Sequence, residues 1–286
     1  MGNLMINKIN NCYRLTSHYD NINYSARILP LFNRVFFTLL CCCFLQGYQA
    51  VANDEITVKP TVVEIMTPDK YALGGDYFAG EAKAPGVMIL HDCRFDSKAY
   101  TQLGKVIASH GIHVLIPDFR GFGASKSELY SHDNLKAEAS NLSAYENAFA
   151  TLASYWEADT LTAYQFLRRK MAKKTNVSVI SVGCSAGVAV ALAEKAYIHS
   201  MVMITPKMDV ADKERYKNLI DIPSYFINSS HHISTFETSK ELFEWNGSKR
   251  SKAQIYKSDR DDYSLLASQK YLAEGIAFWL KSNFGY

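Results

Sequence analysis

The chain has 286 residues, of which 48% are apolar and 21% are charged, and its formal net charge is +3. This length is enough to bury one large core, and the composition is that of an ordinary globular protein. Its clusters of Lys and Arg are short, as at Arg168–Lys170, and do not form the basic patch of a nucleic-acid-binding protein. We therefore expect no nucleic-acid partner.

Residues 1–52 predict an N-terminal extension that ends in a secretory signal peptide. Arg27 and Arg34 precede the apolar core 35–45, and the small-x-small sequence Ala50-Val51-Ala52 follows it, which is the order typical of such a signal. The apolar core is shorter than the roughly 20 residues of a membrane-spanning helix. We expect cleavage after Ala52, export to the periplasm or the extracellular space, and no stable membrane span afterwards. The alternative is an uncleaved segment that anchors the protein in a membrane.

Residues 53–286 alternate between predicted strands and predicted helices. The strands are Thr57–Met66, Gly86–Leu90, His113–Ile116, Val177–Val182, Met201–Ile204, Ser224–Ile227 and Gln254–Tyr256. The helices are Lys98–Ser109, Thr160–Lys173, Gly187–Tyr197, Thr235–Phe243 and Tyr271–Asn283. Continuous apolar strands separated by helices indicate βαβ crossovers. We therefore predict an α/β fold with a mostly parallel twisted sheet and helices on both faces.

Residues 126–156 form an additional segment rich in Ser, Asn, Ala and Tyr. It follows a predicted strand and so begins at the carboxyl edge of the sheet, where open α/β sheets bind their ligands. The segment is either a lid over a site or a surface excursion.

The sequence Gly183-Cys184-Ser185-Ala186-Gly187 has the pattern G-x-S-x-G. It lies directly between an apolar predicted strand and a predicted helix, which is the context of a nucleophile elbow. In such a turn the serine hydroxyl projects above the sheet, and the helix N-terminus favours negative charge nearby. Ser185 is therefore the predicted nucleophile.

Two further segments are similar to the α/β-hydrolase family, in particular to its dienelactone-hydrolase-like and esterase-like branches. His91-Asp92 follows a strand where the family has His-Gly, and residues 118–125 match the pattern D-x-R-G-x-G-x-S. The resemblance covers residues 60–282 and implies hydrolysis of an ester or similar acyl bond of a small molecule, without a metal or organic cofactor. It also implies an oxyanion hole formed by the N–H of Ala186 and that of Asp92 or Cys93.

The acid and the histidine depart from the family pattern. His232 stands where the family has its acid, and Asp261 stands where it has its histidine. One interpretation is a rearranged serine hydrolase in which His232, or else His231, is the base and Asp209, Asp261 or Asp262 orients it. The other is a degenerate pseudo-hydrolase that binds a ligand or partner with the same pocket.

Cys93 and Cys184 both flank the predicted site. The other four cysteines fall in the N-terminal extension, so the pattern is neither a disulfide framework nor a zinc site. We expect two buried free thiols, with a disulfide between them as the alternative.

Overall fold

The computed structural model describes residues 58–285. The predicted signal peptide, its cleavage site and the start of the first predicted strand lie outside these residues. Among the residues that are described, no helix is long and apolar enough to cross a membrane.

One sheet of eight strands organises the described chain, in the order β1-β2-β4-β3-β5-β6-β7-β8. The strands are β1 (Thr61–Met66), β2 (Ala72–Phe78), β3 (Gly86–Leu90), β4 (His113–Pro117), β5 (Val177–Val182), β6 (Met201–Ile204), β7 (Ser224–Ser229) and β8 (Lys252–Tyr256). Strand β2 is antiparallel to β1 and to β4, and every other neighbouring pair is parallel. The predicted mostly parallel sheet is confirmed.

Helices cover both faces of this sheet. They are α1 (Thr101–Ala108), α2 (His132–Glu138), α3 (Leu142–Ala153), α4 (Trp156–Lys170), α5 (Ala186–Lys195), α6 (Val210–Tyr216), α7 (Ile233–Trp245), α8 (Asp262–Ser268) and α9 (Leu272–Phe284). Side chains of a strand point alternately to opposite faces, so β3 sends Met88 and Leu90 into the core under α4 and α5. Val87 and Ile89 enter the core under α1 and α9.

Strand β2 is absent from the sequence prediction because Gly74 and Gly75 interrupt its apolar pattern. These glycines allow close packing, since a Cβ on Gly74 would lie 2.3 Å from Cβ of Ala124. The prediction also lacks α6 and α8, which are short, and α2 and α3, which lie inside the additional segment 126–156.

The D-x-R-G-x-G-x-S segment, which follows β4, makes hydrogen bonds and ion pairs that stabilise the fold. Asp118 accepts hydrogen bonds from the backbone N–H groups of Ser97 (2.7 Å) and Ala124 (2.8 Å). Arg120 is buried and pairs with Asp159 (2.8 Å) and Asp69 (2.8 Å). Its role in this protein is therefore structural.

The additional segment packs on the same region through aromatic side chains. His132 stacks on Phe122 with ring centroids 4.7 Å apart, and Phe149 meets Trp156 edge to face at 5.5 Å. Burial lowers the pKa of His132, which keeps its ring neutral inside this cluster. A lid function for residues 126–156 stays a prediction.

Candidate functional site

The turn between β5 and α5 carries the serine that the sequence singled out. Ser185 is the last residue of a short 3-10 turn that begins at Gly183, and α5 starts at the next residue. The strained backbone falls on Gly183, with a φ of +57°, whereas Ser185 has a φ of −77°. Because the nucleophile of an elbow sits at the strained position, that position belongs here to a residue without a side chain.

The Ser185 hydroxyl points into the protein and not above the sheet, contrary to the expectation from its motif. The residue is fully buried, and its Oγ lies 3.0 Å from the carbonyl oxygens of Leu90 and Val182. The same Oγ accepts a hydrogen bond from the backbone N–H of Val182 at 2.9 Å. These backbone partners explain the orientation, since the hydroxyl completes the hydrogen bonding where β3 and β5 end.

A carboxylate occupies the space above Gly183. A Cβ built on Gly183 would lie 2.7 Å from Oδ1 of Asp262, so a side chain there would collide with that carboxylate. Asp262 is 2% exposed and accepts hydrogen bonds from the Thr205 hydroxyl (2.6 Å) and Lys207 Nζ (2.5 Å). Arg94 Nη2 donates at 3.0 Å to Oδ2, the same oxygen that accepts from Lys207.

Two residues of this cluster have backbone strain of their own. Thr205 has a φ of +44° and Asp262 has a φ of +48°, in a region that residues other than glycine seldom adopt. Strained residues persist where the surrounding structure fixes them, and they gather at functional sites. The Thr205 hydroxyl fixes Asp262 by accepting its N–H at 2.9 Å while donating to its carboxylate.

Asp261 lies beside Asp262 and shares its cations. Arg94 Nη2 donates to it at 3.0 Å and Lys207 Nζ at 3.3 Å. Burial alone would raise the pKa of Asp261, but the hydrogen bond from Arg94 and the charge of Lys207 outweigh burial and lower it. Asp261 is therefore ionised at neutral pH and unsuited to act as a proton donor there.

A polar cavity of about 390 Å³ opens next to Asp261, and Lys207, His231, His232 and Thr235 contribute to its lining. The structure thus brings together the two candidate histidines and the candidate acid. His232 donates from Nε2 to the carbonyl oxygen of Asp259 at 2.8 Å. Ser185 is not part of this lining, because its side chain lies under the turn.

Asp209 is exposed and lies outside the cavity lining. Its carboxylate caps helix α6 by accepting the N–H of Asp212 at 2.8 Å. The contacts of Asp209 are therefore those of a helix-capping residue.

Two of the backbone amides expected to form the oxyanion hole, those of Ala186 and Asp92, already have partners. The N–H of Ala186 donates to the carbonyl oxygen of Gly183, and that of Asp92 faces the Tyr100 hydroxyl at 3.3 Å. The Asp92 side chain is buried and accepts the N–H of Arg94 at 2.7 Å. The loop after β3 is thus held by its own hydrogen bonds.

Cys93 and Cys184 form a disulfide, so the expectation of two free thiols is wrong. Their Cα atoms are 6.0 Å apart, within the range that a disulfide bridges. The bond joins the loop after β3 to the turn after β5, because both strands end at the same edge of the sheet. It fixes the two loops that an oxyanion hole would require.

His91 supports this arrangement from below. Its Nε2 accepts the N–H of Phe119 at 2.9 Å, so the ring proton is on Nδ1, which donates to the carbonyl oxygen of Asp92 at 2.7 Å. Burial lowers the pKa of His91, in keeping with a neutral ring.

Arg94, Thr205, Lys207 and Gly183 were not among the residues predicted for the site. One signal was available for Gly183: the apolar strand ends at Val182, so the tip of the turn falls on the next residue. The cations gave no signal, because a single Arg or Lys in a loop has no characteristic pattern.

Within residues 58–285 no group of three or more His, Cys, Asp or Glu side chains could hold a metal ion.

Comparison with solved structures places the fold among known ones. An esterase of Pyrococcus furiosus superposes with a TM-score of 0.59 at 17% identity, covering 79% of this chain and 93% of its own. A dienelactone hydrolase of Anabaena variabilis gives 0.59 at 11% identity, covering 80% and 97%. A cold-adapted esterase from an Arctic intertidal metagenomic library gives 0.60 at 14% identity, covering 83% and 99%.

This chain therefore has the α/β-hydrolase fold. No protein-family model matches its sequence, and no curated protein matches it. At such low identity the structural likeness concerns the fold, and the chemistry depends on the residues at the site.

Proposed function

We propose that this protein is a non-catalytic member of the α/β-hydrolase fold that binds a small polar molecule in the cavity beside Asp261. The observation that carries the proposal is the glycine at the strained position of the elbow, where Gly183 has a φ of +57°. Acyl transfer in this fold needs a side-chain nucleophile at that position.

The nearby hydroxyl does not replace the missing nucleophile. A general base must come within about 2.6–3.2 Å of the group it deprotonates, and the hydrogen-bond partners of Ser185 Oγ are backbone groups of Leu90 and Val182. Asp262, which fills the nucleophile's space, is held by Thr205, Lys207 and Arg94. These contacts favour the degenerate interpretation over hydrolysis through Ser185.

The cavity lining suggests the class of ligand. Lys207 lines the cavity and is 45% exposed; Arg94 lies outside the lining, pairs with the same two carboxylates and is 50% exposed, so each keeps donors that face solvent. His231 adds a further donor at the cavity, whereas the Nε2 N–H of His232 already donates to Asp259 and the carboxylates of Asp261 and Asp262 are already paired. The surplus of donors fits a small acidic molecule, whose carboxylate would take the place of water on Lys207.

We expect a fluorophosphonate probe to label neither the wild-type protein nor Ser185→Ala, and p-nitrophenyl esters to show no turnover above background. Ser185→Ala should instead lower the free energy of unfolding by about 1–3 kcal/mol, because the buried N–H of Val182 loses its acceptor. Labelling is measured by in-gel fluorescence and stability by urea denaturation.

The matched control is Ser109→Ala, whose exposed hydroxyl donates only to the carbonyl of Val106. We expect this control to change stability by less than about 0.5 kcal/mol. Stoichiometric labelling of the wild type that disappears in Ser185→Ala would instead establish a serine hydrolase.

We also propose that the protein is exported with cleavage after Ala52. The Cys93–Cys184 disulfide supports this, because such bonds persist in oxidising compartments and are rare in the cytosol. Cell fractionation and N-terminal sequencing should find a chain that begins near Asn53 outside the cytoplasm. A soluble cytosolic chain that retains Met1 would contradict export.

A further inference from the structure

A second cavity lies between helix α7 and the last two strands, β7 and β8. Its volume is about 320 Å³, and its lining is almost entirely apolar. The apolar walls come from Phe226 on β7, Phe236 and Phe243 on α7, and Ile255 on β8. This size and composition are those of a site for a small molecule.

The register of the strands explains why space remains there. In the parallel pair β7 and β8, Phe226 lies beside Ala253 and Asn228 lies beside Ile255. Ala253 is too small to fill the gap under α7, and β8 is the last strand of the sheet. Ile255 and Phe243 consequently remain 55% and 38% exposed.

One buried polar group in this apolar lining lacks a partner. Asn228 is 1% exposed, and its amide nitrogen donates to the Ser239 hydroxyl. Its Oδ1 has no hydrogen-bond partner within the described chain. A buried amide oxygen left without a hydrogen bond is costly and rare. An occupant that donates a hydrogen bond to it would therefore stabilise this region.

We propose that this cavity binds a small apolar molecule that carries one hydroxyl group. Its hydrocarbon body would pack among Phe226, Phe236 and Phe243, and its hydroxyl would donate to Oδ1 of Asn228. Asn228 is itself one of the residues that line the cavity, and its Oδ1 is the amide atom left without a partner. Water suits the site poorly, because an ordered water needs two to four polar partners and the lining is apolar.

This inference is independent of the cavity beside Asp261 and of any hydrolysis there. The probe pair is 4-propylphenol and propylbenzene, which share a hydrocarbon body and differ in the hydroxyl. Titration calorimetry should show the wild type binding the phenol about tenfold more tightly than the hydrocarbon, as one added hydrogen bond predicts.

Two variants test the assignment. Ala253→Leu fills the space beside Phe226 and should abolish binding of both probes. Asn228→Leu removes the unpaired oxygen and should make the two affinities equal. The control Ala150→Leu makes the same substitution at an exposed position of α3, and it should leave both affinities at their wild-type values.

Circular dichroism establishes that each variant is folded, and because Ala253 is exposed, its variant remains usable if Asn228→Leu does not fold. Absence of phenol binding to the wild type at millimolar concentration would overturn the proposal. Equal affinity of the wild type for both probes, or phenol binding that survives Ala253→Leu, would overturn it as well.

Discussion

A variant in which alanine replaces both Cys93 and Cys184 is expected to lose about 4–5 kcal/mol of unfolding free energy. The disulfide closes a loop with a sequence separation of 91 residues, and its removal enlarges the unfolded ensemble. The bond also joins the two loops above the sheet, so the hydrogen bonds that Arg94 and Phe95 donate to Asp92 within the loop after β3 should weaken with it. Urea denaturation of the two proteins measures the difference.

Dithiothreitol is the control for this prediction. It should lower the stability of the wild type to that of the double variant and leave the variant unchanged. Cys12 and Cys41 to Cys43 precede the proposed cleavage after Ala52, so both proteins are compared as chains that begin at Asn53 and contain no cysteines besides these two positions. A wild type as stable with the reductant as without it would mean that the two thiols are free.

Arg120→Met is expected to lower the free energy of unfolding by about 3–5 kcal/mol. The substitution leaves Asp159, which is 3% exposed, without its partner at 2.8 Å. Burial already raises the pKa of Asp159 even with Arg120 present, so the unpaired carboxylate would be costly to keep ionised. The Arg120 guanidinium also lies 4.2 Å from the ring centroid of Tyr71, a cation–π contact that methionine does not restore.

Asp69→Asn is the matched control, since Asp69 is the second partner of Arg120 but is 50% exposed. This substitution should lower the free energy of unfolding by less than about 1 kcal/mol, because Asp69 is already half solvated and Arg120 keeps its buried partner Asp159. Thermal or urea denaturation of both variants gives the comparison. Equal losses would show that the exposed pair matters as much as the buried one and would contradict this account.

The central strands were predictable from the sequence because they are buried on both faces. Gly86–Leu90, Val177–Val182 and Met201–Ile204 have the predicted bounds, since continuous apolar runs leave little choice of structure. Strand β2 was not predictable in this way. Gly74 is needed because Ala124 packs against it. Ala124 lies 50 residues further along the chain, so local sequence patterns do not reveal this contact.

The sequence predicted which candidate side chains lie near one another, but not their contacts. The chain order of the strands placed Asp261 and His231 at one cavity, as the resemblance implied. The G-x-S-x-G letters, however, do not specify which residue adopts the strained backbone, and the strained position is two residues before Ser185. The disulfide and the pairing of Asp262 with Lys207 depend on tertiary distances, which sequence spacing does not reveal.

The carboxylate above Gly183 has a consequence for which residues position 183 can accept. Gly183→Ser alone places a side chain within 2.7 Å of Asp262 at a backbone angle that disfavours it. Asp262→Gly alone leaves Lys207 and Arg94 with less compensating charge. Each single substitution is thus harmful without the other, so the two positions are epistatic. A chain that acquires a serine at position 183 would therefore have to pass through a less stable single variant.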